Sequence, residues 1–230
     1  LASDPSPLSL IYALLYRILP PFSVSAVNSR LGLGSNTTNI FIRGLRRARF
    51  VDCLSPSIVG RLIERDNRLV GIARSSPCSF PGRPRRELAS ETSVNGKSLE
   101  RDFDVAFVSR PSAGKGFDIL ETVVEGLGAK NVCIIGSNQI KPSWGFVSAM
   151  ERDVSSLLSR SKVLLSLQTE TNYPSQVIFE AAAAGCAIVA TDTGDTRKFL
   201  DESTAVLVSP EPDKIIAAIL HLLTDSTYQT

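Results

Sequence analysis

The chain has 230 residues, 43% of them hydrophobic, with 25 Lys and Arg against 23 Asp and Glu and a formal net charge of +2. That apolar share suffices for one sizeable core, or for one whole domain and part of another, and it excludes a disordered or low-complexity chain. The near balance of charge argues against nucleic acid as a partner, although the basic residues crowd into the part before residue 90.

Taken in order, the first apolar run, Leu8 to Leu19, is interrupted by Arg17 and ended by Pro20 and Pro21. It falls short of the roughly 20 residues that cross a bilayer and has no basic leader, so it reads as a helix of a water-soluble fold. A loop holding Gly32-Leu33-Gly34-Ser35-Asn36 follows, and then a helical piece rich in arginine, Arg43, Arg46, Arg47 and Arg49. A lone G-x-G is turn glycine before it is a ligand loop. The arginines read as a solvated helix face, with contact to an anionic membrane surface or acceptor as the second reading. Phe50 to Ser55 is expected to be a buried strand, Pro56 to open a helix, and Leu69 to Ala73 to form a further strand. These elements read as the last part of an α/β domain. Together with the start at Leu1 they suggest a piece of a longer protein, which by itself would bind a nucleotide weakly and transfer nothing.

Between Ser75 and Lys97 the periodicity disappears into S-S-P-C-S-F-P-G-R-P-R-R and its continuation, which is linker composition. The boundary is placed near 95, giving domains 1–95 and 96–230. Beyond it, apolar runs and helical segments alternate. Strands are expected at Val105–Ser109, Val132–Gly136, Val163–Leu167, Ala187–Thr191 and Ala205–Val208. Helices are expected at Phe117–Leu127, with Leu120, Val123, Val124 and Leu127 on one stripe, and at Asp213–Leu223, with Ile215, Ile216, Ile219, Leu220 and Leu223. This is the pattern of a Rossmann-like α/β domain, whose parallel sheet is covered on both faces and binds its ligand at the carboxyl ends of the strands.

Two stretches there carry chemistry. The first, F-V-S-R-P-S-A-G-K-G-F-D from Phe107 to Asp118, ends a strand in a glycine-containing loop with Arg110 as a planar fork and Lys115 as a point charge. The second runs from Thr169 to Thr196. Ser175 is expected to cap a short helix carrying Glu180, Ala181 to Ala184 let that helix lie close to a sheet, and Gly185 ends it. Helix-start amides at Ser175, Gln176 and Val177 favour a phosphate, with the Glu180 carboxylate beside it. Gly136 and Ser137 end the second strand at the same edge.

In these motifs the chain resembles the retaining glycosyltransferases of the GT-B fold, the large group 1 family that includes sucrose synthases and many bacterial cell-surface sugar transferases. There, a segment similar to R-x-x-x-x-K-G holds the leaving diphosphate, a place that Arg110 and Lys115 occupy here. A pair of glutamates precedes a small-residue segment like A-A-A-A-G-C-A-I-V-A-T-D-T-G, and Glu180 matches the second. For the first, strict spacing gives Asn172, alignment on Pro174 gives Thr171, and the nearest acid is Glu170. The resemblance implies transfer of a sugar, with retention, from a nucleoside-diphosphate sugar to the hydroxyl of a glycan, a lipid-linked molecule or a small molecule. It also implies that Arg110, Lys115 and Glu180 serve catalysis and that Gly136, Ser137, Glu170, Asn172, Ser175, Gln176 and Val177 contact the donor, with no cofactor and no metal. The alternative is a non-catalytic nucleotide-binding or regulatory module of the same fold.

Other patterns carry less. Asp102-Phe103-Asp104 spells a manganese-binding D-x-D but precedes its strand. One Asp192-Thr193-Gly194 in an α/β background lacks the second carboxylate of an aspartic protease. His221, the single histidine, reads as a packing or surface residue. Cys53, Cys78, Cys133 and Cys186 are far apart and without a C-x-x-C pair, as expected of buried thiols in the cytoplasm.

Overall fold

The computed structural model describes residues 24–27, 36–46, 48–53, 55–75, 93–94, 97–98, 101–109, 114–128, 130–136, 146–148, 154–169 and 175–225. Two compact units are present, Leu1–Ser79 and Phe80–Thr230. The expected helix at Leu8–Leu19 and nearly all of the proline-rich linker lie outside the described residues.

In the first unit, β1 (Val24–Val27), β2 (Val51–Cys53) and β3 (Ala73–Ser75) form a parallel sheet in that order, joined through α1 (Asn36–Leu45) and α2 (Pro56–Arg65). Phe41, Ile42 and Leu45 of α1 and Ile58 and Leu62 of α2 bury their side chains against Val51 and Cys53. Pro56 takes the first helical position, where its missing N–H costs nothing. Strand β1 was not anticipated. The strand expected over Leu69–Ala73 begins only at Ala73. Before it, the buried Asp66 carboxylate accepts the Arg68 N–H and starts a 3-10 turn over Asn67–Leu69, and Gly71 then takes a φ of 83°. The same carboxylate pairs with Arg46, so this arginine is structural rather than part of a free basic face. Burial alone would raise the pKa of Asp66. The hydrogen bonds from Arg46 and Arg68 and their charges outweigh it and hold the carboxyl below its ordinary value.

The second unit holds a short hairpin, β4 (Ser93–Val94) with β5 (Lys97–Ser98), and a six-stranded sheet. The sheet strands are β6 (Phe103–Val108), β7 (Val132–Ile135), β8 (Phe146–Ser148), β9 (Ser161–Ser166), β10 (Ala187–Thr191) and β11 (Val206–Val208), in the order β11-β10-β9-β6-β7-β8, every pair parallel. The chain therefore builds outward from β6 to β8, returns, and builds outward from β9 to β11 on the other side. This is the order of doubly wound nucleotide-binding sheets, with its reversal between β6 and β9. Strand β8 is the one that the sequence pattern did not reveal; Ala187–Thr191 agrees residue for residue.

Both faces are covered, as an all-parallel sheet requires. On one, α3 (Phe117–Leu127) and α7 (Pro212–Thr224) bury Leu120, Val123, Val124, Ile215 and Ile219 against Val105, Phe107, Val163 and Leu165. On the other, α4 (Val154–Ser159) and α5 (Gln176–Ala183) place Leu158, Ile178 and Ala181 over Ala106, Leu164 and Ile188. Gly126 lets α3 approach α7, since a Cβ there would lie 2.3 Å from Ile216 Cδ1. The expected stripe on α7 needs one correction. Leu220 is 37% exposed, and Ala218 and Leu222 are buried instead, because the face that meets the sheet follows 215, 218, 219 and 222. A short helix, α6 (Thr196–Phe199), follows β10.

Ile219→Ala is expected to cost about 2–5 kcal/mol of unfolding free energy in a urea titration, whereas Leu220→Ala at the next position changes it by about 0.5 kcal/mol or less.

Candidate functional site

The carboxyl edge of the sheet at the reversal between β6 and β9 is the place where doubly wound folds bind ligands. The turn that leads from β6 into α3 is held hard against the end of β9. Gly114 and Gly116 take left-handed φ values of 80° and 71°, and a Cβ on Gly116 would lie 2.1 Å from the Leu167 carbonyl oxygen and 2.3 Å from Leu167 Cβ. The Thr169 N–H donates to the Gly114 carbonyl at 3.1 Å. Gly116 then starts α3, and its carbonyl accepts the Leu120 N–H. Lys115, between the two glycines, is thus fixed at the reversal; it is half-buried rather than on an exposed loop.

Gly136 ends β7 at the same edge with a φ of 109°, and the Ser109 N–H donates to the Ile135 carbonyl at 3.0 Å, keeping the two strand ends side by side. From the far side of β9 comes α5, whose amino end also lies at this edge because the helix runs back from the end of β9 to the start of β10. Ser175 stands at its N-cap, but with φ −62° and ψ 139° its hydroxyl makes no capping bond, contrary to expectation. The Ser175 carbonyl instead accepts the Ile178 N–H at 3.0 Å. Val177 is buried in the core, and Glu180 is half-buried and accepts a hydrogen bond from Gln176 Nε2 at 2.9 Å. The pair is spaced i, i+4 on the helix surface, so the Gln176 side chain orients the carboxylate.

The end of α5 agrees with the sequence reading in detail. Gly185, at φ 78°, donates to the Ala182 carbonyl at 3.1 Å, and Cys186 to the Ala181 carbonyl at 2.9 Å, the two bonds of a Schellman motif. Ala181 is fully buried, which lets the helix lie close to β9 and β10.

The structure therefore brings Lys115, Gly136, Ser175, Gln176, Val177 and Glu180 to one edge of one sheet. Arg110, Ser137, Glu170 and Asn172 lie outside the described residues. Sequence reasoning passed over Gly116, Gln168 and Thr191. The last is buried and donates its hydroxyl to the Gln168 carbonyl at 2.5 Å, tying the end of β10 to that of β9.

The opposite edge is built for stability. Asp102 pairs with Arg160, and Asp104 accepts from Lys162 at 2.8 Å and from the Asn131 N–H at 3.0 Å. The D-x-D carboxylates thus hold the amino ends of β6 and β9 together, away from the carboxyl edge. Arg101 donates to the Gly185 and Ser161 carbonyls at 2.8 and 3.2 Å. At the carboxyl end of β10, Asp192 of the D-T-G pairs with Arg197 at 2.6 Å, and His221 sits exposed on α7. Among the described residues, no three His, Cys, Asp or Glu side chains gather as a metal site requires. Also among them, Cys53, Cys133 and Cys186 are buried and form no disulfide, and no helix is long and apolar enough to cross a membrane. Burial pushes the Cys53 thiol up to about 12 and the Cys186 thiol up to about 11.

A family model described as glycosyl transferases group 1 matches residues 102–225, more than half of the chain. Among curated proteins, none matches by sequence. Solved structures share the fold. HepE from Anabaena in complex with UDP has a TM-score of 0.70 at 15% identity over 96% of this chain and 67% of its own. A trehalose-6-phosphate protein from E. coli bound with UDP-2-fluoro glucose has a TM-score of 0.63 at 15% identity, over 90% of this chain and 59% of its own. A TarM mutant from S. aureus, in complex with fondaparinux, alpha-GlcNAc-glycerol and UDP, has a TM-score of 0.66 at 15% identity, over 87% and 42%. The architecture is that of GT-B glycosyltransferases.

Gly116→Ala is expected to destabilise by about 2 kcal/mol or more in urea unfolding, since an L-residue is strained at this φ and the Leu167 main chain must move. Asp104 gives a second expectation. Burial would raise its pKa, but the hydrogen bonds from Lys162 and the Asn131 N–H, with the charges of Lys162 and Lys130, hold the carboxyl below its ordinary value. A carboxyl lowered in the folded state stabilises above its unfolded value of about 3.9 and loses that contribution as pH falls through the folded one. The difference in melting temperature between the parent and Asp104→Asn is therefore expected to be largest near neutrality and to shrink as the buffer is taken below about pH 4.

Proposed function

The chain belongs to the glycosyl transferases group 1 family, and from that premise we propose that it binds a nucleoside-diphosphate sugar and transfers the glycosyl group to an acceptor hydroxyl with retention. The observation that carries this reading is the convergence at one switch point of Lys115, the start of α3 and the start of α5 with Glu180. The leaving group of such a reaction is a diphosphate whose charge grows as the glycosidic bond breaks. Lys115, with Arg110 from the same sequence motif, stabilises that charge, and the amides that open α5 add to the positive potential. Because Gly114 and Gly116 fix the Lys115 main chain against β9, little reorganisation is needed when the charge appears. Glu180, oriented by Gln176, takes the ribose hydroxyls, and Gly136 with Ser137 lets the base approach the end of β7. Glu170 or Asn172 stands for the first acid of the family pattern.

In this reading residues 96–230 form the donor domain and 1–95 contribute to the acceptor side. No divalent cation is needed, because lysine, arginine and helix amides supply the positive potential that manganese supplies elsewhere. The acceptor is a glycan, a lipid-linked molecule or a small molecule, met in the cytoplasm or at its membrane face. The buried thiols without a disulfide among the described residues support a reducing compartment.

Calorimetric titration of UDP and GDP in the presence of chelator tests the binding half. Binding is expected to persist in chelator and to weaken about tenfold or more in Lys115→Ala, as removal of one charge-assisted bond of about 1.5–3 kcal/mol requires. Binding that disappears with chelator and returns with manganese would overturn the metal-free reading. The anomeric configuration of the product, read by NMR in a transfer assay, decides retention.

A further inference from the structure

The end of β9 holds a polar group that the proposed chemistry leaves unused. Gln168, two residues past the strand, is only 6% exposed. Among the described residues its carboxamide has no hydrogen-bonding partner; the bond from Thr191 goes to its main-chain carbonyl. A carboxamide carries two N–H donors and an acceptor oxygen, and interiors rarely keep such a group unpaired because nothing repays its lost hydration.

Its position supplies a reason. Thr169, the next residue, is bonded to Gly114 in the turn that carries Lys115. Leu165 and Leu167 pack into the core beneath α3 and α7, while Leu164 packs beneath α5. The alternation accordingly carries Ser166 to the α5 side, and the chain turns polar at Gln168, just past the end of the strand, at the edge where α5 begins. Thr191 and Thr169 brace the main chain on either side of the Gln168 side chain, so its place is built rather than incidental.

We propose that Gln168 is a specificity residue that touches the donor, its carboxamide pairing with a group of the nucleotide-sugar that both donates and accepts hydrogen bonds. The proposal rests on the nucleotide-sugar reading above. Its chemistry excludes the diphosphate as the main partner, because ionised phosphoryl oxygens only accept and would leave the carboxamide oxygen unpaired. Hydroxyls of the ribose or of the transferred sugar, or the paired edge of a base, satisfy both ends. Ligand binding then satisfies a buried group that no described residue pairs.

The test uses the 230-residue chain and its near-isosteric Gln168→Met variant. Calorimetry with inorganic pyrophosphate, UDP, GDP, UDP-glucose and GDP-mannose is combined with thermal unfolding without ligand. Expected are pyrophosphate affinity within about twofold of the parent, nucleotide-sugar affinity lower by about tenfold, and a melting temperature that does not fall, since an unpaired buried amide has been removed. An equal loss for the nucleoside diphosphates assigns the contact to the nucleoside; a loss confined to the nucleotide-sugars assigns it to the hexose. Unchanged affinity for every probe that the parent binds, or a lower melting temperature, overturns the assignment of Gln168 and leaves the nucleotide reading standing. A parent that binds none of the probes removes the nucleotide reading, and this proposal with it.

Discussion

No side chain fits between residue 116 and Leu167, and the meeting of β6 and β9 at the carboxyl edge depends on that fact. The turn after β6 comes so close to the end of β9 that a single Cβ would overlap both the carbonyl and the side chain of Leu167. Through this approach the two strands flanking the topological reversal are joined beyond their ladder by the bond from Thr169 to Gly114, and Thr191 extends the brace to β10. Lys115 is thus held by main-chain geometry. Its flexible side chain begins from a fixed point, and the proposed role at a leaving diphosphate calls for a support that does not have to reorganise.

The sheet divides its labour by edge. At the amino ends, carboxylates and cations are matched, Asp102 to Arg160 and Asp104 to Lys162, and Arg101 closes on main-chain carbonyls. At the carboxyl ends stand a half-buried lysine between glycines, a helix start without a side-chain cap and a buried carboxamide, beside the ion pair of Asp192 with Arg197.

How far the sequence could be read depends on what its periodicities encode. The helix at 117–127 and the strand at 187–191 were legible because each carries its full apolar pattern within one segment. Strands Val24–Val27 and Phe146–Ser148 were not, since four and three residues are too few to establish a period. Around Leu69 an apolar run suggested a strand, but the Asp66 side chain and Gly71 impose a turn, a case of local capping overriding propensity. On α7, Leu220 and Leu222 are chemically alike, and only the packing direction separates the exposed one from the buried one. Lys115 and Glu180 stood out by residue type and motif. Gly116 and Gln168 did not, because their significance lies in a distance across the sheet and in a missing partner, neither of which a single segment records.

The strand order also shapes how the chain folds. The two central strands pair Phe103 with Ser161 and Val105 with Val163, and the ion pairs that join Asp102 to Arg160 and Asp104 to Lys162 each span 58 residues. On a ribosome, β6 through β8 emerge well before their central neighbour exists, so β6 waits with one edge uncovered until β9 has been made. Long-range parallel pairing of this kind is slow to form and leaves strand edges exposed to wrong partners in the interval. Opposite charges flanking the same seam favour the correct register on arrival, and a seam of high contact order, once closed, is the last part of the domain that local fluctuation can open.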